Sequence, residues 1–584
     1  MSELTVCAGG QAGDGIASVG EAFARSFSRL GLHVFGMNAY QSVIRGGHVY
    51  YLARTSPERV YSQGDGVDLL YALDRATVEV HAPGVRPGGF VLFDPEKFAV
   101  TAADVPAGVT LLGVPTLEIA RKYTTQSILQ NAAGLGAIAF LAGIPLDLLH
   151  EVLSDSFGRK KGEIVDWNLG ASRDGYEFAR AHATPHPAAI RRAGPPKLLL
   201  TGNQAIALGA AAAGLKFLAQ YPMTPASSIM HWLAEHSHSL GIVVKQAEDE
   251  LAAINMAIGA SFGGVRAMTA TSGGGFSLMV EAFGMAGMTE TPLVVVESQR
   301  AGPSTGLPTK TEQGDLNLMI GAGQGDFPRA IVAPTHPRDA FLLTKRAFEL
   351  AEAWQTPVLV ASDLHLSENH ATVDREELDL SSVPTSLFSV EPNGHDYLRY
   401  QYTPTGVSPR SFPGQAGLQY VAGSDEHDEK GHLVSDVKSG LPKWVAERAR
   451  MMEKRMHKLD GLVAQAPRPE FEGPADAPLT FVAWGSTVGA VRDAMRALAA
   501  RGVATNLLHF PTVFPIDPAA VRAALGRTHR TLLVEANYTG QFGRLLRAET
   551  GAELPERLLK YDGEPFYPHE IVARALEMLN HGGK

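Results

Sequence analysis

The reading that decides the fold lies between residues 221 and 315. Four segments carry it: Tyr-Pro-Met-Thr-Pro at 221–225, Gln-Ala-Glu-Asp-Glu at 246–250, Thr-Ser-Gly-Gly-Gly at 271–275, and Gln-Arg-Ala-Gly-Pro-Ser-Thr-Gly-Leu-Pro-Thr-Lys at 299–310. Each follows or opens an apolar run, so polar groups fall at the ends of buried elements. In an open α/β sheet, ligands bind at those ends. A carboxylate, a threonine on a proline-braced turn and an arginine beside a Gly/Pro-rich loop suit an anionic substrate and an organic cofactor.

The surrounding sequence organises in blocks. Short apolar runs at Leu198–Leu200, Ile242–Val244, Ala267–Ala270, Leu293–Val296, Ala330–Ala333 and Pro357–Ala361 are separated by helix-sized gaps. Such alternation predicts a mostly parallel, doubly wound sheet over residues 197–366. The segment Leu215–Leu218 reads as a helix end. An N-terminal α/β block spans 1–183, with strands at Leu4–Cys7, Val49–Leu52 and Gly89–Phe93. Four prolines (Pro185, Pro187, Pro195 and Pro196) mark 184–196 as an exposed linker. Residues 367–475 read as a connector that includes a charged helix at Trp444–Leu462. The α/β rhythm returns over 476–584, with strands at Leu479–Trp484, Thr505–Leu508 and Thr531–Val534.

At 584 residues the chain is too long for one core. Apolar residues make up 45% and charged residues 19%, as in globular proteins. A formal charge of -10 gives no electrostatic basis for nucleic-acid binding. The sequence contains no membrane-length apolar run and no secretory signal, so a cytoplasmic protein is expected. The single cysteine, Cys7, excludes internal disulfides and a four-cysteine iron–sulfur cluster or zinc site within this chain. No metal site is expected on the chain itself.

Glu250 opens a helix whose apolar positions Leu251, Ile254 and Ile258 repeat at helical spacing. Two readings stand: an acid favoured by the helix dipole, or a desolvated carboxyl ready to hydrogen-bond a heterocycle nitrogen. Thr224, held between Pro222 and Pro225, has a fixed direction, which suits an ordinary turn or a ligand contact. Arg300 ends an apolar strand, and its planar guanidinium can grip a carboxylate through two hydrogen bonds. The glycine-rich turn at 9–15 permits close approach of backbone to a phosphate. Gly13-Asp14-Gly15 with Asn38, and Gly64-Asp65-Gly66, only partly match a magnesium–diphosphate motif, so diphosphate binding by this chain is not expected. Ser424–Glu429 has a metal-like composition but adjacent rather than spaced ligands, which favours a solvated or partner-facing loop. Glu535–Gln541 reads as a domain-interface turn.

Tyr221–Pro225, Glu250, Arg300 with its Gly-Pro-Ser-Thr-Gly-Leu-Pro-Thr loop, and Glu535-x-Asn537 together resemble the α subunit of 2-oxoacid:ferredoxin oxidoreductases. Gly9-Gly10-Gln11-Ala12-Gly13 and Arg45-Gly46-Gly47 resemble the γ subunit of the same enzymes, fused in front. Met223 stands where isoleucine is commoner. The resemblance implies three α/β domains: a γ-type domain, a doubly wound thiamine pyrimidine-binding domain and a transketolase C-terminal-like domain. It implies oxidative decarboxylation of a 2-oxoacid to an acyl-CoA, using thiamine diphosphate shared with a β subunit that holds Mg2+ and a [4Fe-4S] cluster. Electrons would leave to ferredoxin, and the assembly would be a dimer of αβ. Glu250, in register with Gly259, would act on the aminopyrimidine ring, with Tyr221 and Pro222 beside the cofactor. Thr224 would sit at the reacting centre, and Arg300, Thr309 and Lys310 would bind substrate. Gly9, Gly10, Gln11 and Arg45 would be associated with CoA. The Arg300 loop is similar to that of 2-oxoglutarate-type members. Pyruvate, branched-chain or aryl 2-oxoacids, or a non-catalytic CoA-positioning role, are the alternatives.

Overall fold

The computed structural model describes residues 3–41, 46–157, 162–381, 383, 390, 396–435 and 442–581. The chain forms two compact units, one built on residues 1–201 with 368–377 and 567–569, the other on the remainder.

The first unit carries an eight-stranded sheet, ordered Thr110–Gly113, Val85–Phe93, Val67–Ala72, Leu4–Gln11, His48–Ser56, His33–Ala39, His370–Val373 and Leu198–Thr201. Leu4–Gln11 pairs in parallel with Val67–Ala72 and antiparallel with His48–Ser56. Helix Ile16–Arg29 lays Val19, Phe23 and Phe27 onto the sheet. It can approach closely because residue 20 is glycine; a Cβ there would collide with the Tyr51 ring. Gly9, Gly10 and Gln11 differ from expectation. They are the last residues of the first strand, opposite Tyr50, Val49 and His48, and the turn begins only at Ala12. Backbone pairing along that strand overrides the local flexibility of two glycines. Arg45 lies outside the described residues.

Two further expectations change here. Leu198–Thr201 is a strand, but it borders the first unit's sheet, antiparallel to His370–Val373. The proline-rich segment is not a free linker: Ile190 is buried, and the backbone N–H groups of Ala193 and Lys197 donate to the carbonyls of Leu30 and Ser28. Proline removes donors, but the remaining amides still find partners.

In the second unit a seven-stranded sheet runs Thr512–Phe514, Ala330–Val332, Pro357–Asp363, Leu293–Gln299, Ala267–Thr271, Phe217–Gln220 and Val243–Gln246. The last six are parallel, and Thr512–Phe514 adds an antiparallel edge. The segment expected to end a helix at 215–218 is therefore a strand from Phe217 to Gln220. Leu293–Gln299 is buried along its whole length, as a central strand covered on both faces must be. The chain steps from Phe217–Gln220 to its outer neighbour, then back across to Ala267–Thr271. This reversal of winding marks where an open sheet offers a crevice.

A five-stranded sheet completes this unit: Glu470–Glu472, Thr505–His509, Leu479–Ala483, Thr531–Glu535 and Arg557–Leu559. Residues of the connector are tied to the loop that leads into the central strand Leu293–Gln299. Glu290 is 0% exposed and accepts hydrogen bonds from Lys454 Nζ (2.6 and 2.8 Å) and Lys458 Nζ (2.6 Å). The acidic loop at 424–429 is likewise anchored within the chain, since Glu426 receives both Arg455 amino groups, at 2.8 and 2.7 Å. Among the described residues no helix is long and apolar enough to cross a membrane, and no group of three or more His, Cys, Asp or Glu could hold a metal ion.

Candidate functional site

The parallel strands of the second unit end at Gln246, Gln220, Thr271 and Gln299, and the four segments that opened the sequence reading follow those ends. Helix Glu250–Phe262 starts where Asp249 accepts the Ala252 N–H at 2.7 Å. Asp249 therefore takes the capping role. Glu250 is left for other work. It is 3% exposed, its Oε1 has no hydrogen-bond partner, and burial holds its carboxyl above the ordinary range. A buried acceptor without a donor costs roughly 1–3 kcal/mol, so it is retained where a ligand can satisfy it.

Gly275 explains the space beside this carboxyl. A Cβ at position 275 would fall 2.5 Å from Glu250 Oε1 and would also strike Thr271 Oγ1. Thr271 Oγ1 in turn lies 3.8 Å from Met223 Sδ. The same five-residue turn reaches the other side of the site. Arg300 Nη1 donates to the carbonyl oxygen of Thr224 at 2.9 Å. Residues 221–225 thus join the Glu250 end to the Arg300 end, with Tyr221 exposed and Pro222, Met223 and Thr224 half-buried.

The loop after Arg300 is exposed from Gly302 to Leu307, and Thr309 is half-buried. Lys310, expected to face substrate, already forms an ion pair with Glu564. Beyond it, Gln313 fastens this loop to the C-terminal sheet. Its backbone N–H donates to Ala536 O (2.6 Å), its Oε1 accepts from Ala536 N (3.0 Å), and its Nε2 donates to Trp484 O (2.9 Å). Asn537 Nδ2 completes the clamp by donating to Gln313 O at 2.9 Å.

Several residues here were missed by sequence reading. Thr271 and Gly275 stood in a quoted segment without a role. Glu297 and Asp315 form an acid pair below Arg300. Burial and the neighbouring Asp315 and Asp363 push the Glu297 carboxyl well up, and burial raises Asp315 to about 6 despite Arg300. The available signal was a carboxylate inside the apolar run Leu293–Gln299, where an unpaired charge is costly.

A doubly wound domain with an orphaned helix-start carboxyl, joined to a second α/β domain, is an arrangement that suits a thiamine-binding oxidoreductase subunit. Family comparisons agree along the chain. Residues 208–444 match the family described as Pyruvate flavodoxin/ferredoxin oxidoreductase, thiamine diP-bdg; residues 5–178 match Pyruvate ferredoxin/flavodoxin oxidoreductase; residues 474–561 match Transketolase, C-terminal domain. The 2-oxoacid:ferredoxin oxidoreductase subunit alpha of a Sulfolobus species is 32% identical over 99% of this chain and 97% of its own. The 2-oxoglutarate oxidoreductase subunit KorA of Mycobacterium tuberculosis is 27% identical over 98% and 91%. A solved structure, 2-oxoglutarate:ferredoxin oxidoreductase from Magnetococcus marinus with 2-oxoglutarate, coenzyme A and succinyl-CoA bound, superposes with a TM-score of 0.90. It is 34% identical and covers 99% of each chain.

The chain belongs to the 2-oxoacid:ferredoxin oxidoreductase α-subunit family, with the γ-type domain fused at its N-terminus. It is an oxidoreductase subunit that works with partner subunits, and it contains a thiamine diphosphate-binding domain.

Proposed function

We propose that this chain is the catalytic α subunit of a 2-oxoglutarate:ferredoxin oxidoreductase, interconverting 2-oxoglutarate and CoA with succinyl-CoA, CO2 and reduced ferredoxin. The observation that carries the thiamine reading is the buried, partnerless Oε1 of Glu250 beside Gly275. That acceptor, with its carboxyl held toward the protonated form, fits a heterocyclic nitrogen. Thiamine diphosphate, when bound, supplies the carbon nucleophile and the electron sink for decarboxylation.

Glu250 would hydrogen-bond the aminopyrimidine ring and hold a proton at its nitrogen, and Tyr221 and Pro222 would lie beside the cofactor. Thr224, fixed by its bond to Arg300, would meet the reacting end of the substrate. Arg300 and Thr309 would bind substrate carboxylate, with charge-assisted bonds about twice as strong as neutral ones. Lys310 enters the site only by exchanging Glu564 for substrate. Gly9, Gly10, Gln11 and Arg45 of the first unit are the proposed CoA-associated set.

The preference for 2-oxoglutarate is supported by the bound ligands of the Magnetococcus marinus enzyme and the names of the KorA relatives. A partner β subunit would hold the diphosphate, Mg2+ and a [4Fe-4S] cluster, in a dimer of αβ, and ferredoxin would take the electrons. Cys7, the single thiol, is buried and pushed up to about 12 by that burial, which unsuits it as a cluster ligand. CoA and ferredoxin, both cytoplasmic carriers, suit a cytoplasmic enzyme. The test is CoA-dependent ferredoxin reduction by the enzyme assembled with its β chain, comparing 2-oxoglutarate with pyruvate. Selective use of 2-oxoglutarate supports the assignment, and a preference for pyruvate refutes it.

A further inference from the structure

The acids beneath Arg300 have no part in the reading above. Glu297 is 0% exposed in the middle of a central strand, and no donor reaches either of its carboxylate oxygens. The charged groups facing it are Asp315, from the segment after the Arg300 loop, and Asp363, from the adjacent strand Pro357–Asp363. Both are acids. Asp315 faces Glu297, Arg300 and Glu312. Its own position is fixed from the backbone, where its N–H donates to Gln299 Oε1 at 3.1 Å. Its carboxylate also closes on the helix start at Gly273, where no Cβ could be accommodated.

Two carboxyls buried against each other cannot both remain ionised, so the pair carries a proton. That proton belongs on Glu297, which has neither a donor nor a cation beside it. Arg300 favours the negative charge on Asp315. An ionised Glu297 would place a second negative charge under the guanidinium and compete with an anionic substrate. A neutral Glu297 instead supplies a hydroxyl donor to Asp315.

We propose that Glu297 is a proton-bearing positioning residue, donating its carboxyl hydrogen to Asp315 and so fixing Asp315 as the singly charged partner that orients Arg300. This rests on the reading that Arg300 binds substrate carboxylate. The device is a specificity element, because it sets how much positive charge Arg300 presents and where.

The test uses the assembled enzyme with Glu297→Leu, Glu297→Gln and Arg300→Ala. Leucine keeps the volume but donates nothing, and it should raise KM for 2-oxoglutarate about tenfold while kcat changes less than about threefold. Glutamine donates an N–H in place of the carboxyl O–H, so it should rescue KM to within about twofold of wild type. Infrared spectroscopy gives an independent readout: a protonated-carboxyl carbonyl band present in wild type should be missing from Glu297→Gln. A merely structural role would lower the active fraction, and hence kcat, and leave KM in place. Arg300→Ala raising KM while Glu297→Leu leaves it unchanged would overturn this inference alone. So would failure of glutamine to rescue, or persistence of the infrared band in Glu297→Gln. Arg300→Ala leaving KM unchanged would overturn both this inference and the reading beneath it.

Discussion

Arg300 Nη1 donates to the backbone carbonyl of Thr224 at 2.9 Å, tying together loops that leave two different strands of one sheet. Thr224 follows the strand Phe217–Gln220 and Arg300 follows Leu293–Gln299, with Ala267–Thr271 between them. The bond spans that intervening strand. It fixes the guanidinium against a carbonyl that no side-chain substitution at position 224 removes.

Replacing Arg300 by alanine should raise KM for 2-oxoglutarate by about 10–100-fold, because a charge-assisted contact is lost. The effect on pyruvate should be smaller, since pyruvate lacks the second carboxylate. Lysine at 300 should recover only part of the loss, because a point charge cannot reproduce the planar fork. Steady-state kinetics with both substrates checks this; equal effects on the two would remove Arg300 from the distal carboxylate.

Glu250→Gln should reduce kcat by roughly 10²–10⁴-fold, the range lost with a positioned proton-handling group. Its stability should move the other way. Burial raises the Glu250 carboxyl above its unfolded value, so its contribution to stability is present at low pH and declines as pH rises through the folded value. At neutral pH a neutral glutamine avoids that cost. Thermal unfolding at pH 7 should therefore show a midpoint equal to or above wild type, alongside lost turnover.

The sequence made the second unit's parallel sheet legible through five apolar runs of the right length, and it located Thr224, Glu250 and Arg300 at the ends of buried elements, although it took the element before Thr224 for a helix. It misplaced what periodicity does not encode. Leu198–Thr201 has a strand's composition, but nothing in four residues says which sheet it borders. Phe217–Gln220 was hidden by the alanine-rich helix before it, Gly202–Ala212, whose apolar character runs on across Gly214. Glu297 and Asp315 lie 18 residues apart in sequence, and only folding brings two acids together and forces a shared proton. Gln313 was unreadable for a similar reason, since its partners Trp484 and Ala536 lie in the last α/β block.

Gln313→Ala should destabilise the second unit by about 2–4 kcal/mol, because the Ala536 N–H and Trp484 carbonyl would be left buried without their partner. Urea unfolding of the variant measures this. A loss under about 0.5 kcal/mol, the scale of ordinary surface substitutions, would contradict the clamp.

Glu290→Gln should cost about 3–5 kcal/mol below pH 7, where it leaves both Lys454 and Lys458 charged and buried without their countercharge. The pH dependence carries its own sign. Burial, opposed by Glu290, lowers Lys458 from 10.5 to about 7. Between those values the unfolded chain holds a proton that the folded chain has released, so this group's contribution to stability rises with pH. Compared with Lys458→Met, wild type should gain relative stability from pH 7 toward pH 10, as followed by urea unfolding across that range. A flat or falling difference would show that Lys458 keeps its proton in the folded state.

The most direct measurement is CoA-dependent ferredoxin reduction by this chain assembled with its β partner, using 2-oxoglutarate and pyruvate in parallel, with wild type and Glu250→Gln. The account predicts kcat/KM at least about tenfold higher for 2-oxoglutarate, and loss of both activities in the variant. Near-normal turnover by Glu250→Gln, or a preference for pyruvate in the wild type, would contradict it.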